Sequence, residues 1–172
     1  RLNDVRIAPG AVFSFNSAVG PWTSDQGYVR APVSYDGEMV SDWGGGVCQA
    51  STTLYNAALI AGLDIVDRSP HTWAPHYVSA GRDAAVAQTD IDLRFRNPYA
   101  FPLRILSRRS GDRLVVEFRG AEHGPMASVR SESAGVEPSR TIVRIAPRYA
   151  PVGPRVMNRG KPGARAAVYR VF

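Results

Sequence analysis

The chain has 172 residues, of which 44% are hydrophobic and 21% are charged, a composition that is typical of a globular domain and excludes a disordered segment. No apolar run reaches the ~18–20 residues that a membrane-spanning helix requires. The formal net charge of +6 is unevenly divided, because residues 1–100 hold seven Arg against ten acidic residues and residues 101–172 hold fourteen Arg or Lys against five.

The first part of the chain is predicted to be β structure joined by turns. Residues 12–15 show the alternation of a strand, and residues 28–35 form a second extended run before a turn at Asp36-Gly37. Arg1 leads directly into this region without a signal-like segment, so we expect the chain to be a piece of a longer or processed protein.

The clearest helix is predicted to begin at Cys48, directly after three glycines, and to end near Gly62. Apolar residues recur at helical spacing along one stripe, and a glycine suits the position that follows a helix C-terminus. The members of this stripe are Ala50, Leu54, Ala57, Ala58 and Ala61. Residues 63–66 are predicted to follow as a short buried strand.

Strands return in the second half of the chain. Alternation over residues 91–95 predicts a half-buried strand, and residues 103–106 and 114–118 flank a turn and predict a hairpin. The whole pattern predicts an α+β fold in which an antiparallel sheet packs on one main helix, with Cys48 at the N-terminus of that helix.

Residues 121–172 are predicted to be a small β-rich extension to a main domain of residues 1–120. They are rich in Pro and Gly and contain short extended runs at 141–145 and 166–172. We interpret the many Arg residues beyond residue 100 as a solvated face, since they alternate in strand-like patterns rather than in a block. The alternative is attraction to an acidic polymer, either nucleic acid or anionic cell-wall glycan.

The single cysteine, Cys48, excludes an intrachain disulfide and lies where an anion is favoured. On the first turn of a helix, free backbone N–H groups and the positive end of the helix dipole stabilise a thiolate. The same N–H groups suit the oxyanion of a tetrahedral intermediate. Gly45 and Gly46 would let a substrate approach the sulfur, because no Cβ stands in the way. The alternative is a buried small hydrophobe after a glycine turn.

His71 and Asp83 follow Cys48 at spacings that a helix, a short strand and a turn can bring back to the helix start. Cys, His and Asp in this order are typical of cysteine acyl-transfer enzymes of the papain and transglutaminase type, in which the imidazole deprotonates the thiol and the carboxylate orients the imidazole. His76 is a rival base and Asp92 a rival orienting carboxylate, and His71 and Asp83 could also be ordinary loop and turn residues.

A zinc site is disfavoured because metal-ligand pairs normally have tighter spacings, so we expect no metal and no other cofactor.

Short motifs along residues 1–120 carry a resemblance to a known family. In chain order they are Pro9 to Asn16, Gly27-Tyr28, Gly44 to Gln49, Ser51 to Ala57, Ala61 to Leu63, Pro70-His71, Gly81 to Ala84 and Asp92 to Asn97. Together they resemble the VanW domain, a family named for a gene that accompanies glycopeptide resistance and found in exported bacterial cell-envelope proteins. The family often lies beside a small β-rich module of the G5 type, and Gly160 to Arg170 resembles the end of such a module.

The resemblance implies a function and a location. Some members of the VanW family are L,D-transpeptidases that form 3-3 cross-links in peptidoglycan through the motif cysteine, which corresponds to Cys48, while the motif histidine corresponds to His71. Asp83 and Asp92 both match family positions, so the resemblance does not choose between them. It also implies an extracytoplasmic location and peptidoglycan stem peptides as partners. We expect no nucleic-acid partner and a monomer.

Six further residues are predicted to contact the substrate. They are Gly45, Gly46, Gln49, Trp43, Trp73 and Arg82. The two tryptophans would wall the cleft and limit access of water, with ordinary packing as the alternative. The guanidinium of Arg82 would pair with a stem carboxylate or hold Asp83 in place. Two other functions share these residues, namely a non-catalytic wall-binding module and a papain-like endopeptidase that hydrolyses stem peptides.

Overall fold

The computed structural model describes residues 1–35, 38–121, 128–136, 142–144, 155–158 and 163–171. In this part of the chain the fold is α+β, as the sequence predicts. The strands are β1 (Val5–Ile7), β2 (Val12–Ser14), β3 (Arg30–Tyr35), β4 (Glu38–Trp43), β5 (Asp64–Asp67), β6 (Arg94–Arg96), β7 (Leu103–Ser110), β8 (Arg113–Arg119), β9 (Ser128–Val136), β10 (Ile142–Arg144), β11 (Arg155–Asn158) and β12 (Gly163–Val171), and the α-helices are α1 (Phe15–Val19) and α2 (Val47–Ile60). No helix of the described residues is long and apolar enough to cross a membrane.

The described strands form several small antiparallel sheets rather than the one sheet that the sequence predicts. One sheet has the order β1-β7-β8, another has the order β2-β6-β5, and β3 pairs with β4. The predicted hairpin is confirmed, since β7 and β8 are antiparallel neighbours joined at Gly111. The long connection of residues 68–93 joins two paired strands, β5 and β6, and adds only an isolated bridge between Ser69 and Ala85.

Two predicted strands differ from the observed ones for local reasons. The strand predicted over residues 12–15 ends at Ser14, because the Ser14 hydroxyl accepts a hydrogen bond from the N–H of Ser17 and so begins α1. The strand predicted over residues 63–66 is β5, but it is not buried along its length, since Val66 is 48% exposed.

Asp92 explains why the strand predicted over residues 91–95 is shorter than its sequence pattern. Its carboxylate accepts hydrogen bonds from Ser14 Oγ at 2.6 Å and from the N–H of Asn16 at 2.9 Å. An anion at this position stabilises the start of α1. The chain is thus turned toward α1, and β6 begins only at Arg94.

The core lies between α2 and the two three-stranded sheets. Phe95 of β6 is fully buried, stacks on Phe13 with 4.8 Å between ring centroids, and meets Phe118 edge-on at 5.6 Å. Burying a ring of this size contributes roughly 2–3 kcal/mol to stability. Phe95 therefore joins the sheet of β2, β6 and β5 to the β8 strand of the other sheet.

Helix α2 buries Leu54 and Ala58 as predicted, but its buried face differs from the rest of the predicted stripe. Its buried residues are Val47, Ser51, Thr52, Leu54, Tyr55, Ala58 and Leu59, whereas Ala50, Ala57 and Ala61 of the predicted stripe are only partly buried. Two hydroxyls enter the interior because both bond the main chain of Ala84, with Ser51 Oγ donating to its carbonyl and Thr52 Oγ1 accepting from its N–H. The buried face of α2 is therefore the one that carries these hydroxyls, and it faces the segment that follows residue 82.

The described residues beyond residue 121 are all in strands. β9 pairs with β12 along nine residues, and β10 pairs with β11. β12 lies against the main domain at Gly81, where an added Cβ would be 2.8 Å from Val168 Cγ2. The β content agrees with the sequence, while the boundary at residue 120 and the likeness to a G5-type module stay predictions. Gly160, Thr141, Ile145 and Phe172, which belong to the predicted segments, lie outside the described residues.

Candidate active site

The loop Gly44-Gly45-Gly46 before α2, called the glycine loop below, places each glycine differently. Gly44 and Gly46 both have φ of +86°, in the left-handed region that favours glycine. An added Cβ at Gly44 would be 2.6 Å from the Trp22 ring, and one at Gly45 would be 2.3 Å from Ala31 Cβ. Gly46 has open space where its Cβ would be. The first two glycines therefore let the loop pack on its own chain, and Gly46 is the one that a substrate would meet without obstruction.

Cys48 is the second residue of α2, and its side chain is half-buried. The other N–H groups of the first turn, those of Val47, Gln49 and Ala50, donate to carbonyls of the glycine loop. Among the described residues, the N–H of Cys48 itself has no hydrogen-bond acceptor. One backbone donor beside the sulfur is therefore available to an anion.

The sulfur of Cys48 lies between two groups. It donates a hydrogen bond of 3.5 Å to the carbonyl oxygen of Val86, and it interacts electrostatically with the imidazole of His71. Burial raises the pKa of the Cys48 thiol, but the hydrogen bond and positive charge of His71 outweigh burial and place that pKa below its ordinary value. The sulfur is therefore biased toward the nucleophilic thiolate form.

Asp83 orients the His71 ring through two hydrogen bonds. Its Oδ2 lies 2.7 Å from Nδ1 of the ring and accepts, also at 2.7 Å, from the main-chain N–H of the same histidine. Asp83 is only 5% exposed, so these bonds are shielded from water. Because Nδ1 shares its proton with Asp83, Nε2 is the ring nitrogen left to face Cys48. The structure thus brings Cys48, His71 and Asp83 together.

Arg68 holds the other side of the Asp83 carboxylate. Its Nη2 lies 2.6 Å from Oδ1 of Asp83, and its Nε donates to the main-chain carbonyl of the same residue at 2.6 Å. The guanidinium also lies over the Tyr55 ring, 5.6 Å from the centroid. A two-point contact of this kind fixes the position of a carboxylate as well as its charge.

These contacts shift the pKa values of the imidazole and the carboxylate in opposite directions. Hydrogen bonds with Asp83 and with Cys48 raise the pKa of His71 to about 9 and outweigh burial. Burial acts to raise the pKa of Asp83, but hydrogen bonds from His71 and the charge of Arg68 lower it to about 2. Near neutral pH these values leave Asp83 ionised and His71 protonated, and the pKa of the neighbouring Cys48 thiol is shifted toward the thiolate form.

Residues 83–86 are fastened to α2, and this fastening positions the site. Ser51 Oγ donates to the Ala84 carbonyl at 2.6 Å, and the Ala84 N–H donates to Thr52 Oγ1 at 3.0 Å. Both hydroxyls lie one turn after Cys48. The carboxylate at the start of this segment and the carbonyl at its end are consequently held beside the start of α2.

The two rival residues lie elsewhere. His76 is exposed, and its ring packs edge-on against Tyr77 with 6.1 Å between centroids. Asp92 is engaged at the start of α1. Asp83 is therefore the carboxylate that contacts His71, a choice that the sequence left open. The described residues include no cluster of three or more His, Cys, Asp or Glu side chains arranged to hold a metal ion.

The remaining predicted substrate contacts are differently placed. Trp43 ends β4, is half-buried, and has the Arg30 guanidinium 5.4 Å from its ring centroid. Trp73 is also half-buried, and its indole N–H is buried without a hydrogen-bond partner among the described residues. Gln49 is exposed directly after Cys48.

Arg82 does not hold the carboxylate of its neighbour. Its Nε donates to Oδ1 of Asn56 on α2 at 2.6 Å. Arg68, and not Arg82, is therefore the guanidinium on Asp83. The other predicted role of Arg82, contact with a carboxylate of the substrate, stays a prediction.

A groove of about 430 Å³ lies along the exposed side of α2, and we call it the α2 groove. It is lined by Gln49, Thr52, Thr53, Asn56, Tyr77 and Val78. The first four residues are spaced as neighbours on one face of a helix. Tyr77 also meets the His71 ring edge-on, with 6.4 Å between centroids. The lining therefore includes Gln49, the chain neighbour of Cys48, and Tyr77, which contacts His71, while Cys48 and His71 do not line the groove themselves.

Sequence reasoning missed Arg68, Ser51, Thr52 and the Val86 carbonyl. Arg68 had a usable signal, since a guanidinium three residues before a candidate base is a natural partner for the carboxylate of that base. The two hydroxyls and the carbonyl had none, because hydroxyls within a helix and main-chain carbonyls occur throughout any chain and acquire a role only through tertiary contacts.

Comparison with known proteins identifies relatives of the main domain. The family model described as "VanW like protein" matches residues 1–119. An uncharacterized protein of Bacillus subtilis (strain 168), YoaR, is 44% identical over 110 residues, which are 64% of this chain and 36% of that protein. The vancomycin B-type resistance protein VanW of Enterococcus faecalis (strain ATCC 700802 / V583) is 35% identical over 101 residues, which are 56% of this chain and 37% of that protein. The matched part thus spans little more than a third of each of these relatives. No solved structure matches the chain.

Proposed function

The chain belongs to the VanW-like protein family, and on that premise we propose that it is a peptidoglycan L,D-transpeptidase, a cysteine acyltransferase that forms 3-3 cross-links between stem peptides of the bacterial cell envelope. The observation that carries the proposal is the hydrogen bond of His71 with Asp83 together with the influence of His71 on the Cys48 thiol, since the three residues combine a nucleophile, a base and an orienting carboxylate. The relative named as a vancomycin resistance protein supports a role at the cell wall. Such a substrate lies outside the cytoplasm, so an extracytoplasmic location is part of the proposal.

Acylation is the first step of the proposed reaction. The Cys48 thiolate attacks the carbonyl carbon of the third residue of a tetrapeptide stem, and a C–S bond forms. The bond from that carbon to the nitrogen of the terminal D-residue breaks as His71 gives its Nε2 proton to the departing amine. The products are a thioester on Cys48, a free D-amino acid and a neutral His71.

Transfer is the second step. The side-chain amine of a second stem attacks the thioester carbon, and neutral His71 takes the proton that this nitrogen loses. The C–S bond breaks, and the thiolate and the imidazolium are restored. A thioester suits this sequence because it retains the acyl energy for attack by an amine. Trp43 and Trp73 are both half-buried and lie close in the chain to Cys48 and His71, respectively, and on this proposal they limit the competing attack by water.

The tetrahedral intermediates of both steps carry a negative oxygen that needs hydrogen-bond donors. The unpaired N–H of Cys48 is one candidate, since it lies beside the sulfur at the positive end of α2. The carboxamide of Gln49 is the second candidate, because it is exposed and has no hydrogen-bond partner among the described residues. Removal of one donor of this kind typically lowers kcat about 10²–10³-fold.

The proposal is tested by intact-mass spectrometry of the protein after incubation with tetrapeptide-stem muropeptides. We expect a mass increase equal to the tripeptide acyl group, which must lie on Cys48 because the chain has one cysteine. The matched control is Cys48→Ala at equal folded fraction, which should form no adduct. Absence of an adduct on the wild-type protein, under conditions where an alkylating reagent labels Cys48, would contradict the proposal.

The products of the same incubation separate transfer from hydrolysis. Cross-linked dimers joined through two third residues indicate a transpeptidase, whereas free tripeptide stems indicate an endopeptidase. Binding of muropeptides with neither adduct nor product would indicate a non-catalytic wall-binding module.

A further inference from the structure

We propose that the α2 groove binds the acyl-donor stem peptide and that Arg82, at the far end of the groove from Cys48, binds a carboxylate of that peptide. This inference rests on the proposed function and adds the orientation of the substrate. It assigns to the site a preference for donor peptides that carry a negative charge at a defined distance from the scissile carbonyl.

The α2 groove has a fixed direction and length. Gln49 lies at the end beside Cys48, and Asn56 lies at the opposite end of the lining. Eight residues separate Cys48 from Asn56, which corresponds to about 12 Å along an α-helix. A peptide that places its scissile carbonyl at the sulfur and follows α2 therefore reaches Asn56 after about three to four extended residues.

The lining between these ends is uncharged and exposes more apolar than polar surface. Threonines, carboxamides, one tyrosine and one valine form it, and no Asp, Glu, Lys or Arg takes part. Most of its hydrogen-bonding groups are engaged internally, since Thr53 Oγ1 donates to the Gln49 carbonyl at 2.8 Å and the Asn56 carboxamide donates to the Thr52 carbonyl at 2.7 Å. The lining therefore suits a neutral stretch of peptide and does not itself select a charge.

Charge enters at the far end through Arg82. Its Nε donates to Asn56 Oδ1, and Asn56 Nδ2 returns a hydrogen bond of 2.8 Å to the Arg82 carbonyl. This reciprocal pair holds the guanidinium at the end of the groove. Arg82 is half-buried, and none of the ion pairs among the described residues includes it. Its two Nη groups are therefore available to form a fork with a carboxylate.

A donor stem carries carboxylates at suitable distances. The α-carboxylate of a γ-linked D-glutamate at the second residue is about 10 Å from the carbonyl of the third residue when the chain is extended, from standard bond lengths. Where the diamino acid at the third residue is diaminopimelate, its side-chain carboxylate is nearer, at roughly 6–8 Å. Both have the same chemistry, and the experiment below separates them.

The experiment compares three donor peptides that differ only in charge. One has both carboxylates free, one has the glutamate carboxylate amidated, and one has the diamino-acid side-chain carboxylate amidated. The rate of thioester formation per unit concentration is measured for the wild-type protein and for Arg82→Gln. The matched control is Arg113→Gln, since Arg113 is an exposed arginine at the start of β8.

We expect amidation of one of the two positions to lower kcat/KM of the wild-type protein about ten- to a hundredfold, the loss typical of a charge-assisted pair. The position that is sensitive identifies the carboxylate. Arg82→Gln should show the same kcat/KM for the free and the amidated peptides. Arg82→Lys should retain part of the preference for the free carboxylate, and Arg113→Gln should show the full preference of the wild type. Equal use of all three peptides by the wild type, or an unchanged preference in Arg82→Gln, would overturn the inference.

A binding measurement keeps the inference separate from the proposed reaction. Cys48→Ala cannot form a thioester, so its affinity for the same three peptides reports recognition alone. If no adduct forms on the wild-type protein but Cys48→Ala prefers the free carboxylate and loses that preference with Arg82→Gln, the proposed function fails and the inference about the groove holds. If an adduct forms while neither binding nor rate depends on amidation, the inference fails and the proposed function holds.

Discussion

The Oδ2 atom of Asp83 lies 2.7 Å from both nitrogen donors of His71, the ring Nδ1 and the main-chain N–H. Because one oxygen accepts from both, the orientation of the ring is tied to the backbone of the same residue. The second oxygen, Oδ1, is held separately by Arg68 at 2.6 Å. Substitutions on either side of the carboxylate therefore have different expected consequences.

Asp83→Asn should slow thioester formation by about 10³–10⁴-fold, by analogy with the loss of the correct tautomer in other triads. A neutral carboxamide cannot balance the charge of the imidazolium, and it puts a donor where one of the two acceptor oxygens was, so the ring loses its counter-charge and its fixed orientation. The rate is measured by mass spectrometry in single turnovers at equal folded fraction. The matched control is Asp92→Asn, which removes an acceptor at the start of α1 and should cost about 0.5–2 kcal/mol in the free energy of unfolding with little change in rate. A near-wild-type rate for Asp83→Asn would leave a Cys–His dyad.

Arg68 acts as a positioning residue, and its removal should change the ionisation of Asp83. In Arg68→Gln the pKa of Asp83 should rise from about 2 toward its ordinary value, because a positive charge that lowers it is lost. Arg68→Lys should keep that pKa low but recover only part of the rate of thioester formation, since an ammonium lacks the two-point contact. NMR titration of the Asp83 carboxyl carbon measures the pKa. An unchanged pKa in Arg68→Gln would show that Arg68 has only a packing role.

The rate of thioester formation should depend on pH as a bell-shaped curve. It should rise as Cys48 loses its proton, at a pH below the ordinary thiol pKa of about 8.5. It should fall as pH passes about 9, since His71 then loses the proton that the departing amine needs. The two apparent values belong to the coupled pair. Alkylation of Cys48 provides the control, because it needs the thiolate and no proton donor, and so should rise with pH without the fall near 9.

Alanine substitutions at two positions of the glycine loop should destabilise the protein for different physical reasons. Gly45→Ala should destabilise the protein by about 1–3 kcal/mol, because the new Cβ would lie 2.3 Å from Ala31 Cβ. Gly46→Ala should cost about 1–2 kcal/mol from its left-handed φ alone, since the space around it is open. Adding Ala31→Gly should restore part of the stability lost in Gly45→Ala and none of that lost in Gly46→Ala. Denaturant unfolding measures all four proteins, and equal effects of Ala31→Gly in both backgrounds would contradict the packing role of Gly45.

The sequence by itself determined the family, the α+β class and the hairpin of β7 and β8. These are properties of neighbouring residues, because alternation, helical spacing and turn residues act within a few positions and an ordered series of motifs needs no structure to be recognised. The sequence also singled out Cys48, His71 and Asp83 as candidates, but it left Asp92 as an equal match to the family.

Only the tertiary structure decided which carboxylate meets the imidazole and which guanidinium meets the carboxylate. Asp83 lies beside His71 because residues 83–86 are bonded to hydroxyls of α2 some thirty residues earlier in the chain, as in the contact of Ser51 with Ala84. Asp92 is drawn away because the start of α1, more than seventy residues earlier, offers donors to its carboxylate. Contacts of this range depend on the path of the whole backbone, and no local pattern encodes that path.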